Sequence, residues 1–346
     1  MKRPAVIFSL AGLCVVGTSV VVAQQQETAP PPPWAYGFAT PPAPASAAPV
    51  GGAGQPGRGG GGGRGGTPPA PDTTRRTLAG SDASFTLAQV RDGFGPADWF
   101  PGDHPAMPAI VAQGRRDANI TACALCHYPN GKGRPENAGV SGLPFAYIMQ
   151  TMMDFKNDAR KSFDTRKTNT GRMIQFAKAM TDDEIKAAAT YFSSIKSTPW
   201  VKVVETDSVP KTRIAGGMFV TLEGADAGKE VIGPRIIEVP ENGEATETLR
   251  NPRSGFIAYV PTGSIKKGEA LATRGQCAIC HGTNLEGLGP VPAIAGRSPS
   301  YVVRQLYDMQ HGTRTGIWSE LMKRVVAPLT TDDMLNLAAY SASRAP

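Results

Sequence analysis

Apolar positions recur at helical spacing in two well-separated parts of the chain. Thr181-Asp182-Asp183-Glu184 has the pattern of a capping box, with acids on the positive end of a helix, and Ile185, Ala188, Ala189 and Phe192 follow as a stripe. A counterpart starts at Thr330 and carries Met334, Leu337, Ala338 and Ser341. Residues 146–155 and 301–309 read as a second pair of helices, and 105–114 and 264–272 as a third. Between these two helical stretches the texture changes. Residues 200–204, 218–222, 235–239 and 256–260 are short β-type runs separated by turn signals such as Glu241-Asn242-Gly243, which predicts a small β-rich connector without catalytic residues.

The two helical stretches are copies of one another. At an offset of 154, Cys123, Cys126 and His127 fall on Cys277, Cys280 and His281, and the same shift pairs Gly114 with Gly268, Tyr147 with Tyr301 and Arg160 with Arg314. After a five-residue difference the offset is 149, pairing Met173 with Met322, Thr181 with Thr330 and Tyr191 with Tyr340. A duplicated module of roughly 80–90 residues follows.

The N-terminal part reads differently. Met1-Lys2-Arg3, an uncharged stretch over 5–23 and the small residue Ala23 form the layout of a secretory signal at 1–23, or of an uncleaved membrane anchor. Cys14 lies inside that stretch. Residues 24–72 hold 12 Pro and 12 Gly in 49 positions, too little apolar surface to offset ordering entropy, so 24–80 is expected to be a disordered tether. Its patch Trp34-Ala35-Tyr36-Gly37-Phe38 suits docking on a partner, docking on the chain's own surface, or simple solvation. The formal net charge of +7 raises nucleic acid as a partner. Six of the cations, however, are Lys2, Arg3, Arg58, Arg64, Arg75 and Arg76. Without them and the acids Glu27 and Asp72, residues 77–346 carry +3, and nucleic acid drops out.

The candidate chemistry lies in Cys123-Ala124-Leu125-Cys126-His127 and Cys277-Ala278-Ile279-Cys280-His281. C-x-x-C-H is the attachment signature of c-type haem. On a helical turn, positions i, i+3 and i+4 share a face, so two thiols meet the vinyl groups while the imidazole rises beneath the iron. The rival zinc reading needs further Cys or His ligands, and a dithiol redox motif calls for a preceding strand. Two covalently bound haem c groups, with iron held by His127 and His281, are therefore expected. For the distal position, Met149, Met152, Met153, Met180, Met309 and Met334 align with other hydrophobes, which suits core filling. Met173 and Met322 are methionine in both copies and are the expected ligands. His104 and His311 lack a repeat partner and read as surface or supporting histidines. Arg160 and Arg314 suit haem propionates or a solvated face equally.

C-x-x-C-H, a helix bearing Tyr147 or Tyr301, a later Met173 or Met322 and a terminal Thr-x-Asp helix ending near Tyr191 or Tyr340 resemble class I cytochrome c. In tandem they are similar to periplasmic di-haem cytochromes c of the c-four type. The resemblance covers about 80–346 apart from the connector. It implies mostly α-helical domains of the class I cytochrome c type. Taken with the connector and Pro/Gly-rich segment read above, the expected fold is mostly α: two such helical domains, 81–198 and 261–346, with the β-rich connector 199–260 between them and the disordered segment before them. The resemblance also implies His/Met ligation and a non-enzymatic electron carrier of the periplasm, tethered to the inner membrane if the N-terminal segment is uncleaved. A dehydrogenase or quinol-oxidising complex would be the donor and a terminal oxidase the acceptor. A cytochrome subunit of a dehydrogenase complex and a di-haem peroxidase-like enzyme are the alternatives. The long connector and the arm Asp98-Trp99-Phe100-Pro101-Gly102-Asp103-His104-Pro105 depart from the pattern of that group.

Overall fold

The computed structural model describes residues 30–40 and 72–346. The expected signal or anchor at 1–23 and most of the expected tether lie outside the described residues. The described chain is mostly helical, with two helix-rich regions around the cysteine motifs and a β-rich stretch between them.

The first helical region opens with a short ladder of β1 (Arg76–Thr77) and β2 (Ser84–Phe85), then α1 (Leu87–Val90) and α2 (Ala109–Ala112). The helix expected over 105–114 shrinks to one turn because Pro108 has no N–H to donate, so the helix starts only after it. There follow α3 (Cys123–His127), α4 (Phe145–Lys156), α5 (Thr168–Ala179) and α6 (Asp182–Ser194). The capping box of α6 forms: Thr181 Oγ1 accepts from Glu184 N at 3.2 Å, and Glu184 Oε2 accepts from Thr181 N at 2.8 Å. Ile185, Ala188, Ala189, Tyr191 and Phe192 are its buried face.

The middle stretch holds β3 (Val201–Glu205), β4 (Ser208–Pro210), β5 (Thr212–Ala215), β6 (Met218–Thr221), β7 (Lys229–Val231), β8 (Ile237–Pro240), α7 (Gly243–Glu247) and β9 (Phe256–Val260). The strand β9 lies between β3, to which it is parallel, and β8, to which it is antiparallel. The chain thus leaves the first helical region and enters the second along adjacent strands. The hairpin of β5 and β6 closes on Gly216-Gly217, both at positive φ (59° and 85°), as a two-residue turn requires.

The second helical region runs α8 (Ser264–Arg274), α9 (Cys277–His281), α10 (Pro299–Gln310), α11 (Ser319–Val326) and α12 (Thr331–Ser343). Its hydrogen bonds repeat those of the first at both offsets. Gly133 N bonds His127 O at 2.9 Å and Gly287 N bonds His281 O at 2.7 Å; Gly142 N bonds Phe192 O and Gly296 N bonds Ser341 O, both at 3.0 Å. The buried face of α12 includes Met334 and Ala338 as expected, with Leu335 rather than Leu337.

Among the contacts that tie these parts together, two bear on the sequence reading. At the seam between the helical regions, Lys161 N donates to Thr313 O and Thr315 N to Ala159 O, each at 2.7 Å. Arg160 donates to the Tyr301 hydroxyl at 2.8 Å and Arg314 to that of Tyr147 at 3.0 Å. Because 159, 160 and 161 correspond to 313, 314 and 315, these bonds are related by a local pseudo-two-fold. The solvated-face reading of Arg160 is therefore corrected: it is 6% exposed, bound by the partner region's tyrosine. The second contact is the Trp34 patch. Residues Pro33–Tyr36 form a 3-10 turn, with Trp34, Ala35 and Tyr36 buried in the same core as Tyr307 and Met334. Tyr36 donates to Asp308 Oδ1 at 2.8 Å, and Phe38 lies beneath Arg166. Residues 30–40, expected as part of a disordered arm, are instead ordered on the chain's own surface, because the aromatics bury more apolar area than the Pro-rich turn loses in entropy.

Candidate functional site

The two attachment helices present the same construction. In each, the imidazole is held through Nδ1 by a carbonyl eleven residues on: His127 donates to Ala138 O and His281 to Pro292 O, both at 2.8 Å. That bond fixes the tautomer and leaves Nε2 as the free nitrogen, as an iron ligand requires. Burial holds both imidazoles below their usual pKa, so they are neutral donors. Burial also pushes the Cys123 thiol up to about 12 and raises Cys126 and Cys277. A dithiol redox pair works through a stabilised thiolate, so these raised values oppose that reading. Among the described residues no three His, Cys, Asp or Glu side chains gather into a metal cage, which leaves the zinc reading without its remaining ligands.

A cavity of about 370 Å3 opens above the first attachment helix, within the range of small-molecule and cofactor clefts. Cys123, Cys126, His127 and Met173 line it, with apolar walls that include Ile148, Phe155 and Phe176. At the seam the lining turns cationic, with Arg160, Lys167 and Arg304 beside Tyr147 and Tyr301. Burial and the neighbouring Arg304 push the Lys167 ammonium down to about 7, which marks an end of the cavity crowded with cations. Burial would raise the Tyr147 phenol, but Arg314 and Arg160 outweigh it and bring it down to about 8. An apolar cleft with thiols and an imidazole at one side and a cationic end at the other fits an apolar macrocycle carrying two carboxylates.

The cavity gathers four of the eight candidate residues, and none of Cys277, Cys280, His281 or Met322. Met152 and Met180 line it alongside Met173. In the second region, Met309 and Met334 are buried in the core, as expected of core fillers. Met322 is half-buried on α11. His104 hydrogen-bonds Asp98 at 3.2 Å and His311 stacks on Tyr307 with ring centroids 3.9 Å apart, so both are supporting residues. Lys167, Arg304 and the two seam tyrosines were not singled out from sequence for this site. The tyrosines had a signal in the repeat pairing; Lys167 lies between Arg160 and Met173, the interval over which the first copy is five residues longer and the pairing lapses.

Residues 111–196 match the family described as cytochrome c. Over 251 residues, 69% of this chain and 85% of the relative, the chain is 25% identical to a thiosulfate dehydrogenase electron acceptor of Thiomonas intermedia. It is 39% identical over 92 residues to cytochrome c4 of Thiocapsa roseopersicina, covering 26% of this chain and 45% of that protein. It is 34% identical over 71 residues to cytochrome c-554(548) of Halomonas halodenitrificans, covering 20% of this chain and 86% of that protein.

Proposed function

The chain belongs to the cytochrome c family, and from that premise we propose that it is a periplasmic di-haem electron carrier of the c4 type, with both haems ligated by histidine and methionine. The observation that carries this reading is the duplicated attachment helix, each with its imidazole anchored to a carbonyl at 2.8 Å. Cys123 and Cys126 would hold one haem through their thiols and Cys277 and Cys280 the other, with His127 and Met173, and His281 and Met322, as the residues that would hold the iron. The iron of a bound haem supplies a one-electron couple, which a thioether ligand shifts to higher potential. The protein's part is to hold and orient: the Nδ1 anchors aim Nε2, the apolar walls of the first cavity exclude water, and Arg160, Lys167 and Arg304 receive carboxylates at its seam end.

A dehydrogenase is the donor in this reading, supported by the relative named as a thiosulfate dehydrogenase electron acceptor. A terminal oxidase is the acceptor. The same relative favours a second reading, in which the chain is the cytochrome subunit of a dehydrogenase complex. Among the described residues no helix is long and apolar enough to cross a membrane, and an inner-membrane tether would rest on the N-terminal segment.

Haem analysis of the full chain tests the reading. Two haems per chain are expected, falling to one in Cys277→Ala/Cys280→Ala. Carbon monoxide should leave the reduced spectrum nearly unchanged, because the sixth positions are filled. Met173→His and Met322→His should each lower one potential by a sizeable part of the roughly 0.8 V that axial ligands span. An unchanged potential in either variant would remove that methionine from the ligand set. A large carbon monoxide shift would point to the peroxidase-like enzyme.

A further inference from the structure

The two attachment segments match in sequence and differ in their surroundings. Tyr128 and Glu136 are 2% and 3% exposed, whereas Ile279 and Leu288 are 67% and 60% exposed. Leu288 corresponds in the repeat to Arg134, whose side chain is 14% exposed. The cover over the first segment comes from the connector and the residues leading into it. Trp200 stands edge-on to Tyr128 at 6.5 Å and the Arg250 guanidinium lies 5.5 Å from the same ring. Asn130 Nδ2 donates to Pro252 O at 2.9 Å, and Lys132 Nζ to Pro199 O at 3.1 Å. Across the second segment, Ala278, Ile279, Cys280, Glu286 and Leu288 are all exposed.

We propose that partner redox proteins meet this chain on the attachment face of the second module, at Ile279, Cys280 and Leu288, and that electrons reach the first module through the second. The proposal rests on the electron-carrier reading. Between 273 and 291 the charged side chains are Arg274 and Glu286, one of each sign. With one charge of each sign the segment carries no net charge to steer a partner at long range, so the partner it suits presents an apolar patch of low net charge beside its own redox group. Small contacts, below about 1,200 Å2, are usual for such encounters, and two exposed aliphatic side chains in the same segment as an exposed attachment cysteine suit that scale. The second module reaches the first cavity directly, since Tyr301, Arg304 and Gln305 line its seam end. Each encounter moves one electron: the partner is oxidised by one, the chain is reduced by one, and no atom is transferred.

Stopped-flow reduction of the full haem-loaded chain tests this, with a reduced single-haem cytochrome c as the protein donor and ascorbate as the small one. Ile279→Asp and Leu288→Asp should slow the protein-donor reaction relative to the ascorbate reaction by tenfold or more. Phe145→Asp, at an exposed apolar residue of the first module, should leave that ratio unchanged. In Cys277→Ala/Cys280→Ala the remaining haem should be reduced by ascorbate but lose at least tenfold with the protein donor; an unaltered protein-donor rate there overturns the proposal. Steep slowing with added salt would overturn the partner of low net charge. Hydroxyl-radical footprinting gives a readout without electron transfer: Ile279 and Leu288 should label and Tyr128 should not, and the reverse pattern overturns the assignment. Failure to load two haems would count against the carrier reading. Two loaded haems with direct protein access to the first would count against the port alone.

Discussion

The role proposed for His127 and His281 rests on their immediate neighbours. The C-x-x-C-H spacing sets which side chains share a helical face, and the backbone anchors at Ala138 and Pro292 follow from the same local loop. Site chemistry of this kind is legible in sequence because it spans a few residues. The proposed distal ligand is not local. Met152, Met173 and Met180 all line the first cavity, and it is the repeat pairing with Met322 that singles out Met173. His104 shows how far a single residue's state depends on folding. Burial lowers its pKa, but the Asp98 carboxylate at 3.2 Å and the Pro105 carbonyl at 2.8 Å outweigh it and hold the imidazole above its ordinary value. A group raised in the folded state adds stability that is complete below about pH 6.5 and fades as pH rises through the folded value. Denaturant unfolding should therefore show stability falling from about pH 6.5 upward, and His104→Gln should flatten that slope. An identical slope in the variant would assign the pH dependence elsewhere.

At the scale of elements, strong periodicity and capping located α4, α6, α10 and α12 to within one to three residues of their observed ends. Helices α5 and α11, which carry Met173 and Met322, were not singled out. The opening of α5, Thr168-Asn169-Thr170-Gly171, has low intrinsic helix preference, and packing against the cavity overrides it. Gly268 illustrates what pairing by sequence leaves open. Its repeat partner Gly114 follows the single turn α2, whereas Gly268 lies in the middle of α8, where α12 crosses. A Cβ on Gly268 would lie 2.0 Å from Asn336 O and 2.6 Å from Tyr340 Cβ. Gly268→Ala should destabilise the chain by about 1–3 kcal/mol through overpacking, despite the better helix propensity of alanine. A more stable variant by thermal or denaturant unfolding would show that the crossing relaxes freely.

The whole molecule is assembled by contacts between distant parts of the chain. The described residues from Pro31 onward form one compact unit, in which the seam tyrosines and arginines bind one helical region to the other and the Trp34 turn packs over the second. Trp34→Ala should cost about 3–5 kcal/mol, as loss of a buried aromatic does. Tyr36→Phe should cost about 1–3 kcal/mol by taking the hydroxyl partner from the buried Asp308. Losses below about 0.5 kcal/mol in both would mean that the turn contributes little to the folded state. From sequence alone the duplication, the attachment helices, the terminal helices and the β-rich connector were readable, because each is written in spacing over a short window. The ordering of Trp34–Phe38, the burial of Arg160 and the covering of one attachment face but not the other were decided by tertiary packing. Each depends on which surfaces meet across 67 or more residues, and two copies of one motif hold no sign of which will be covered.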